Sequence, residues 1–599
     1  MADYMNMDTL RFQLYEVMGL KNLLELDYFS DWDQESVDIF LDSMKDFSDK
    51  DLYPAFREMD EDPARYEDGK IIVHPVVEKL MRKSGEMGLI SAPFSHEKGG
   101  MQLPNIVMQS ALFIMEAANN NCPGYPGLTA GAANLIATFG SDHLKTTYLE
   151  KMMNGDWAGT MCLTEPQAGS SLSDVASSAV PNEDGSYKIT GQKIFISGGD
   201  HEYCDNFVHL FLARIEGAPA GTKGISLFVV PKNRPENGEL KFNDVITAGD
   251  FQKMGQRGYC TTHLSFGESS DCVGWLLGEP HRGLKYMFQM MNEARIAVGR
   301  SGVSVASGAY HASLQYARER PQGRRLSDTG KKNSDEDQTL IINHPDVRRM
   351  LLLQKAIYEG GLSLILQSSK YDDLSRTGDD KERNHMLLEL LTPVTKTFPA
   401  EAGQLAVSNG LQVLGGYGFC SEFVLQQYHR DIRIMSIYEG TTGIQSMDLL
   451  GRKVPMNGGT ALGYLVAEMQ EVIGQARNFD ELKPYADILD SKIAVVQSVL
   501  AKLMPFAMKG EHERYIHDAN MFMEMFSIVV IAWQWLQMAV AAKKSLESND
   551  KRFTADFYES KIHTMKFYFK YEVPKTTGLC EILKSDEVLT IIDEKELAF

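Results

Sequence analysis

Tyr187-Lys188-Ile189-Thr190-Gly191-Gln192-Lys193-Ile194-Phe195-Ile196-Ser197-Gly198-Gly199 sits in the middle of a block whose texture decides the fold. Its apolar runs are short, rich in Ile and Phe, and bounded by Gly and polar residues, as half-buried strands are. The same texture holds from near Trp157 to about Pro280. Residues 187–190, 193–197, 207–215, 224–231, 240–246 and 261–267 all read as strands. Asp184-Gly185 before one strand and Gly191-Gln192 between two carry hairpin chemistry. The spacing predicts a compact antiparallel barrel or sandwich.

Helical periodicity lies on both sides. In Ser36-Val37-Asp38-Ile39-Phe40-Leu41-Asp42-Ser43-Met44, Val37, Phe40, Leu41 and Met44 fall at i, i+3, i+4 and i+7 on one helix face. Residues 76–88, 104–118 and 141–153 repeat the pattern, with Lys98-Gly99-Gly100 as a loop. After the strand block, 287–317, 344–369, 382–409 and 444–450 could build a helical bundle. The stretch 321–338, rich in Arg, Gly, Lys, Asp and Ser, reads as a loop. Asn457-Gly458-Gly459-Thr460 marks a linker into further helices over 460–599. Strands grouped between helical blocks argue against a parallel α/β sheet. The expected class is multidomain α+β: an N-terminal arm (1–35), an N-terminal helical domain (36–156), a middle β-domain (157–281), a helical bundle (282–455) and a C-terminal helical extension (456–599).

A chain of 599 residues exceeds one small domain and predicts three or four packed ones. Its net charge of -21 and pI ≈ 5.2 argue against a nucleic-acid partner, which would want a basic stripe. The 7 cysteines are odd in number and never form Cys-x-x-Cys, which fits free thiols in a reducing compartment. His512-Glu513 followed by His517 places the second His one residue too late for a zinc-binding helix face, so no metal is expected. Met1-Ala2-Asp3-Tyr4-Met5 is acidic and does not read as a secretory signal. The apolar stretch 521–542 is interrupted by Glu524, Gln534 and Gln537, with Trp533 and Trp535 inside it. It predicts a buried helix, with a membrane-surface or subunit contact as the second reading.

No G-x-G-x-x-G opens a helix, and no P-loop, G-x-S-x-G elbow or H-E-x-x-H occurs. Four other segments stand out. Met161-Cys162-Leu163-Thr164-Glu165-Pro166-Gln167-Ala168-Gly169-Ser170-Ser171 offers hydroxyls and a glycine suited to clasping a polar ligand. Lys193–Gly199 ends a strand in small residues. Leu411-Gln412-Val413-Leu414-Gly415-Gly416-Tyr417-Gly418 allows close backbone approach or simply ends a helix. Arg430-Asp431-Ile432-Arg433 leads to Tyr438-Glu439-Gly440-Thr441-Thr442-Gly443-Ile444-Gln445, where a carboxylate meets a glycine and hydroxyls at a helix start. Taken singly, each segment also has an ordinary structural reading: a turn, a barrel strand, a helix end, a capping carboxylate.

In this order and at these separations, the four segments resemble the acyl-CoA dehydrogenase family from roughly residue 40 to 453. The resemblance implies that family's fold, with a helical domain, a β-barrel and a helical bundle, and FAD as cofactor. It implies flavin contacts from Met161, Leu163, Thr164, Gly169 and Ser170, and from Phe195 and Ser197, where the family often has Trp and Thr. Arg320 matches the Arg that reaches the FAD pyrophosphate of a neighbouring subunit. Gln412, Gly415 and Gly416 match a further FAD stretch, and Thr441 and Gln445 match contacts after the base. The usual Phe three residues beyond Arg320 is Gly323 here, and the usual Gln near His344 is Pro345. Ser170, Arg295, Tyr438 and Gly440 fall on the substrate side.

The implied reaction converts an acyl-CoA to a trans-2-enoyl-CoA in fatty-acid β-oxidation, with electrons passed to an electron-transfer flavoprotein. Some members place the catalytic Glu just before the Arg matched by Arg295. Ala294 stands there and accepts no proton, which leaves Glu439 as the base. Leu10-Arg11-Phe12 with Tyr15-Glu16, and Gln322-Gly323, look most like the long bacterial branch that includes the 3-methylmercaptopropionyl-CoA dehydrogenases. That resemblance implies a bacterial cytoplasmic enzyme and a homodimer sealed by the C-terminal helices. An O₂-using acyl-CoA oxidase and a non-catalytic, DNA-associated relative are the alternative readings.

Overall fold

The computed structural model describes residues 3–326, 329–332, 334–548 and 551–597. The expectations touching residues 1–2, 327–328, 333, 549–550 and 598–599 lie outside the described residues. The chain divides into two compact units, residues 28–294 and residues 1–27 together with 295–599.

In the first unit, helices and one short hairpin, Arg65–Glu67 with Lys70–Ile72, come before the main sheet. Helix α1 (Gln34–Phe47) starts where Asp33 accepts the Ser36 N–H at 2.8 Å, and it buries Val37, Leu41, Met44 and Phe47. Helices α2 (Val76–Glu86), α3 (Asn105–Ala118), α4 (Gly124–Phe139) and α5 (Asp142–Met153) follow. The Ser141 hydroxyl caps the last of these. The main sheet has eight strands: β1 (Trp157–Cys162), β2 (Ser178–Pro181), β3 (Tyr187–Ser197), β4 (Asn206–Ile215), β5 (Ile225–Pro231), β6 (Val245–Asp250), β7 (Thr261–Phe266) and β8 (Val273–Leu276). Their order is β6-β7-β3-β8-β5-β4-β1, with β2 pairing β3 and β4. All pairs are antiparallel except β1–β4 and β2–β4.

Strand β4 explains its own apolar run. Val208, Leu210 and Leu212 join a core with Ile225, Leu227 and Val229, closed by Ala132, Ile136, Tyr148 and Met152 of α4 and α5. Phe211 and Ala213 face the other way, into a core with Ile189, Ile196, Phe228, Leu264 and Phe266. A strand buried on both faces has no polar side to show.

Two strand expectations need correction. Gly191-Gln192 is not a hairpin, because β3 runs unbroken from Tyr187 to Ser197 and pairs Gly191 with Phe266. The glycine is there for packing: a Cβ would fall 2.1 Å from Ser177 Oγ. The single strand expected over 240–246 is instead two. Glu239–Phe242 pairs with Asn233–Glu236 in a separate hairpin, and Val245–Asp250 enters the main sheet. Asp244 divides them, at φ +51.

The second unit is helical. It holds the part of α6 (Gly283–Glu319) beyond Ala294, then α7 (Pro345–Thr377), α8 (Lys381–Leu414), α9 (Thr442–Asp448), α10 (Thr460–Ala476), α11 (Lys483–Met508), α12 (Ala519–Glu547), α13 (Ala555–Tyr571) and α14 (Lys575–Lys584). Helix α12 is buried on nearly all sides. Several of its polar groups have partners: Gln534 accepts from Ser363 Oγ at 2.6 Å, Trp535 Nε1 donates to Ala356 O at 2.9 Å, and Gln537 donates to Val17 O. The N-terminal residues are fastened to the same core. Lys561 of α13 donates to Thr9 Oγ1 and Glu359 Oε2, each at 2.9 Å, and Tyr558 donates to Glu16 at 3.0 Å.

Candidate active site

In the second unit the site is built on α6, α8 and the turn before α9. Helices α6 and α8 pass so closely that a Cβ on Gly299 would lie 2.0 Å from Thr395 O. Pro399 has no N–H for that carbonyl, four residues earlier, to accept. One helical turn before Gly299 stands Arg295, buried, with Nη1 3.2 Å from Asp448 Oδ2 of α9. The next position on α8 is Lys396, also buried.

These side chains ring Glu439. Its backbone holds φ +54, a region an L residue with a long side chain enters at a cost of roughly 1–3 kcal/mol. Two buried side chains hold the turn from behind. Gln445 Nε2 donates to Glu439 O at 3.0 Å, and Lys396 Nζ donates to Gly440 O at 2.8 Å. Because each peptide is planar, fixing these carbonyls fixes the N–H groups of Gly440 and Thr441 on the opposite side. Among the described residues, the N–H groups of Glu439, Gly440 and Thr441 donate to no protein acceptor. A carboxylate thus stands beside three unused backbone donors, a fit for a polarised carbonyl whose neighbouring carbon loses a proton.

The electrostatics suit a base. Glu439 is partly accessible yet ringed by protein, and loss of water drives its carboxyl above the usual carboxylate range. Arg295 and Lys396 pull it back. Burial brings Lys396 down to about 8, against the pull of Glu401 and Glu439. Lys396 was not anticipated from the sequence. The available signal was a single charge in the run from Leu390 to Ala400.

Other expected residues divide among three places. Tyr438, Gly440, Thr441, Gln445 and Arg295 are gathered around Glu439. The Thr441 hydroxyl is occupied as the cap of α9, accepting from Ile444 N, while Gln445 Oε1 is buried without a partner among the described residues. Arg320, at the end of α6, lies with its guanidinium 5.8 Å from the Tyr417 ring. That contact joins it to the segment carrying the exposed Gln412, Gly415 and Gly416. Glu293, beside Ala294, is exposed and accepts from Asn134 at 3.2 Å, so it is engaged away from a base's task.

The remaining expected residues are in the first unit. Met161, Leu163 and Thr164 are half-buried, and Gly169 and Ser170 are exposed on the loop after β1. Thr164 O accepts from Ile194 N at 3.0 Å, which sets the loop against β3. Phe195 holds φ +57 and is 56% exposed, its ring 4.3 Å from Phe251. An aromatic held outward in strained backbone fits a flat ring partner. Ser197 follows on the same strand, paired with Thr261. Taken each within its own unit, the outward Phe195 of one and the backbone donors and Gln445 oxygen of the other suit contacts to a flavin.

Family models match most of the chain: acyl-CoA dehydrogenase N-terminal domain over 34–156, middle domain over 160–269 and C-terminal domain over 331–454, and an acetyl-CoA dehydrogenase C-terminal-like domain over 465–591. The chain is 37% identical to 3-methylmercaptopropionyl-CoA dehydrogenase of Ruegeria pomeroyi, over 85% of each chain. It is 32% identical to a butyryl-CoA dehydrogenase of Syntrophomonas wolfei, over 99% of this chain and 98% of that relative. An acyl-CoA dehydrogenase structure from Bacillus anthracis shares the fold at TM-score 0.72 and 19% identity, over 95% of this chain and 91% of that one. This protein belongs to the acyl-CoA dehydrogenase family.

Proposed function

We propose that the protein is an FAD-dependent dehydrogenase that oxidises a saturated acyl-CoA thioester to the trans-2-enoyl-CoA, with Glu439 as base. One observation carries this reading: a half-buried carboxylate on strained backbone, beside N–H groups that find no acceptor among the described residues. The thioester carbonyl accepts from the backbone N–H groups at 439–441, which stabilises charge developing on its oxygen. That interaction acidifies the adjacent α-carbon. Glu439 takes the α-proton, and loss of water, which raises its pKa, makes it a stronger base than an exposed carboxylate. The oxidising chemistry, removal of the β-hydrogen with its electron pair, would be supplied by bound FAD. Phe195 and Ser197 with the loop residues Met161, Leu163, Thr164, Gly169 and Ser170 would hold the ring, and Gln445 would offer its free oxygen. Arg320, Gln412, Gly415 and Gly416 would serve a neighbouring subunit's cofactor. The family resemblance points to an electron-transfer flavoprotein as acceptor.

The Bacillus anthracis structure is complexed with FAD, and the relatives named above act on butyryl-CoA and 3-methylmercaptopropionyl-CoA. Anaerobic bleaching of the bound FAD by a panel of acyl-CoAs that begins with these two tests the reading. Glu439→Gln is expected to bind substrate and not bleach. Bleaching by that variant at the wild-type rate would remove Glu439 from its role. Peroxide release under air without an added acceptor would favour the oxidase alternative.

A further inference from the structure

Lys396 is a buried ammonium with an unusual set of partners. It has three N–H donors, yet among the described residues it makes one hydrogen bond, to Gly440 O at 2.8 Å. Among the described residues, no carboxylate lies within ion-pair distance of it. Other buried lysines of this chain are paired: Lys193 with Glu165 at 2.7 Å and Lys561 with Glu359 at 2.9 Å. A buried charge without a partner destabilises a fold, so Lys396 calls for a role other than stability. It stands on α8 where that helix faces the catalytic turn.

We propose that Lys396 is a positioning residue for the base: its ammonium fixes the Gly440 carbonyl, and with it the backbone carrying Glu439, and sets a positive charge beside the carboxylate. This rests on the reading of Glu439 given above. The charged groups around Glu439 are few. Arg295 comes from α6, Lys396 and Glu401 from α8, and Asp448 with Arg452 from the far side of Arg295. Asp448 neutralises much of Arg295, while Glu401 is drawn to the Thr442 hydroxyl. Lys396 is therefore the cation beside Glu439 that lacks a compensating ion pair. With its own pKa brought down to about 8, it is charged at neutral pH.

The test uses the full-length holoenzyme and follows the reductive half-reaction against pH. Lys396→Met removes both the hydrogen bond and the charge. It is expected to slow bleaching about tenfold at neutral pH and to move the acid limb of the rate profile upward by about one pH unit, because the carboxylate loses a neighbouring cation. Acyl-CoA affinity and FAD content are expected to change less than about twofold. Lys396→Gln keeps a donor for Gly440 O without the charge. It is expected to recover part of the rate and leave the acid limb displaced, a signature that mere structural support would not give. Lys396→Arg restores the charge and is expected to bring the limb back. If Lys396→Met fails to fold, Lys396→Gln carries the test. An acid limb at the wild-type pH in the uncharged variants would overturn the proposal. If Glu439→Gln still bleached normally, the reading of the base would fail first; if it did not bleach and the Lys396 profiles matched wild type, this inference alone would fail.

Discussion

Lys193 Nζ and Glu165 Oε1 lie 2.7 Å apart, and neither side chain reaches solvent to more than 3%. The pair joins β3 to the loop after β1. Lys193 also donates to Leu163 O at 3.1 Å and Leu212 O at 2.8 Å, and its ammonium faces the Phe211 ring at 4.7 Å. Glu165 accepts from the Ala176 and Ser177 N–H groups. The ends of the loop that carries Thr164, Gly169 and Ser170 are therefore tied to a single buried point. Removing one partner strands the other charge, at a cost of about 3–5 kcal/mol. Lys193→Met is expected to lower the unfolding midpoint and the FAD content together. Thermal unfolding with and without added FAD measures both, and a variant that retains full flavin at wild-type stability would refute the role given to this pair.

Lys193 and Lys396 also mark what the sequence could and could not reveal. Glu439 is legible as a candidate because its neighbours in the chain mark it: a glycine, two threonines and Gln445 follow it within six positions. The stripe Val37, Leu41 and Met44 was legible because period alone places it inside. A lysine has no such local signature. In a helix or strand it reads as a solvated charge, and only tertiary packing places Lys396 against Gly440 or Lys193 against Glu165. Gly191 misled for a related reason. A glycine next to a polar residue signals a turn when only the chain is visible, whereas the reason for this one is Ser177, 14 positions earlier in sequence.

Gly440 holds φ +86, and a Cβ there would come within 2.6 Å of Gln445 Nε2. Gly440→Ala must strain the turn and push away the donor that holds Glu439 O. The expected result is a loss of bleaching rate of about tenfold or more with FAD still bound, since a small misplacement of a base is costly. Gly443→Ala is the control: its Cβ would meet nothing closer than the Thr441 hydroxyl at 3.8 Å, and its φ is ordinary. Stopped-flow reduction of the two variants by one acyl-CoA checks this. Equal rates would show that the conformation at 440 does not matter.

His209 and His201 are buried in the β-domain, and loss of water holds them down to about 3 and about 4. His209 shares a 2.7 Å hydrogen bond with Thr160 Oγ1, while its Nε2 has no partner among the described residues. The sign follows from proton counting. Between about pH 6.5 and these folded values, the unfolded chain binds more protons than the folded one, so stability falls as pH falls through that window. Above about 6.5 the effect is absent. Each histidine contributes a slope of up to about 1.4 kcal/mol per pH unit. His209→Gln is expected to flatten the decline in unfolding midpoint between neutral pH and about pH 4.5. An unchanged slope would assign acid lability to other groups.

The burial of α12 bears on assembly. It lies against α7, α8, α9, α10, α11, α13 and α14 within one unit, and Trp533, Trp535 and Phe522 are closed off inside. If shorter members of the family cover the equivalent helices by forming tetramers, this chain covers them with its own extension. Phe419, 98% exposed beside Gly415 and Gly416, gives the proposed second copy an apolar contact near Arg320 and Tyr417. The expected solution particle is a homodimer of 67.0 kDa chains. Light scattering after size-exclusion chromatography checks it, and a mass of four chains would defeat the argument. Phe419→Glu is expected to shift the particle toward monomer and to lower FAD content, because Arg320 and Gln412 would lose the partner whose cofactor they are proposed to hold. A monomer that keeps its full flavin would place the FAD contacts within one chain.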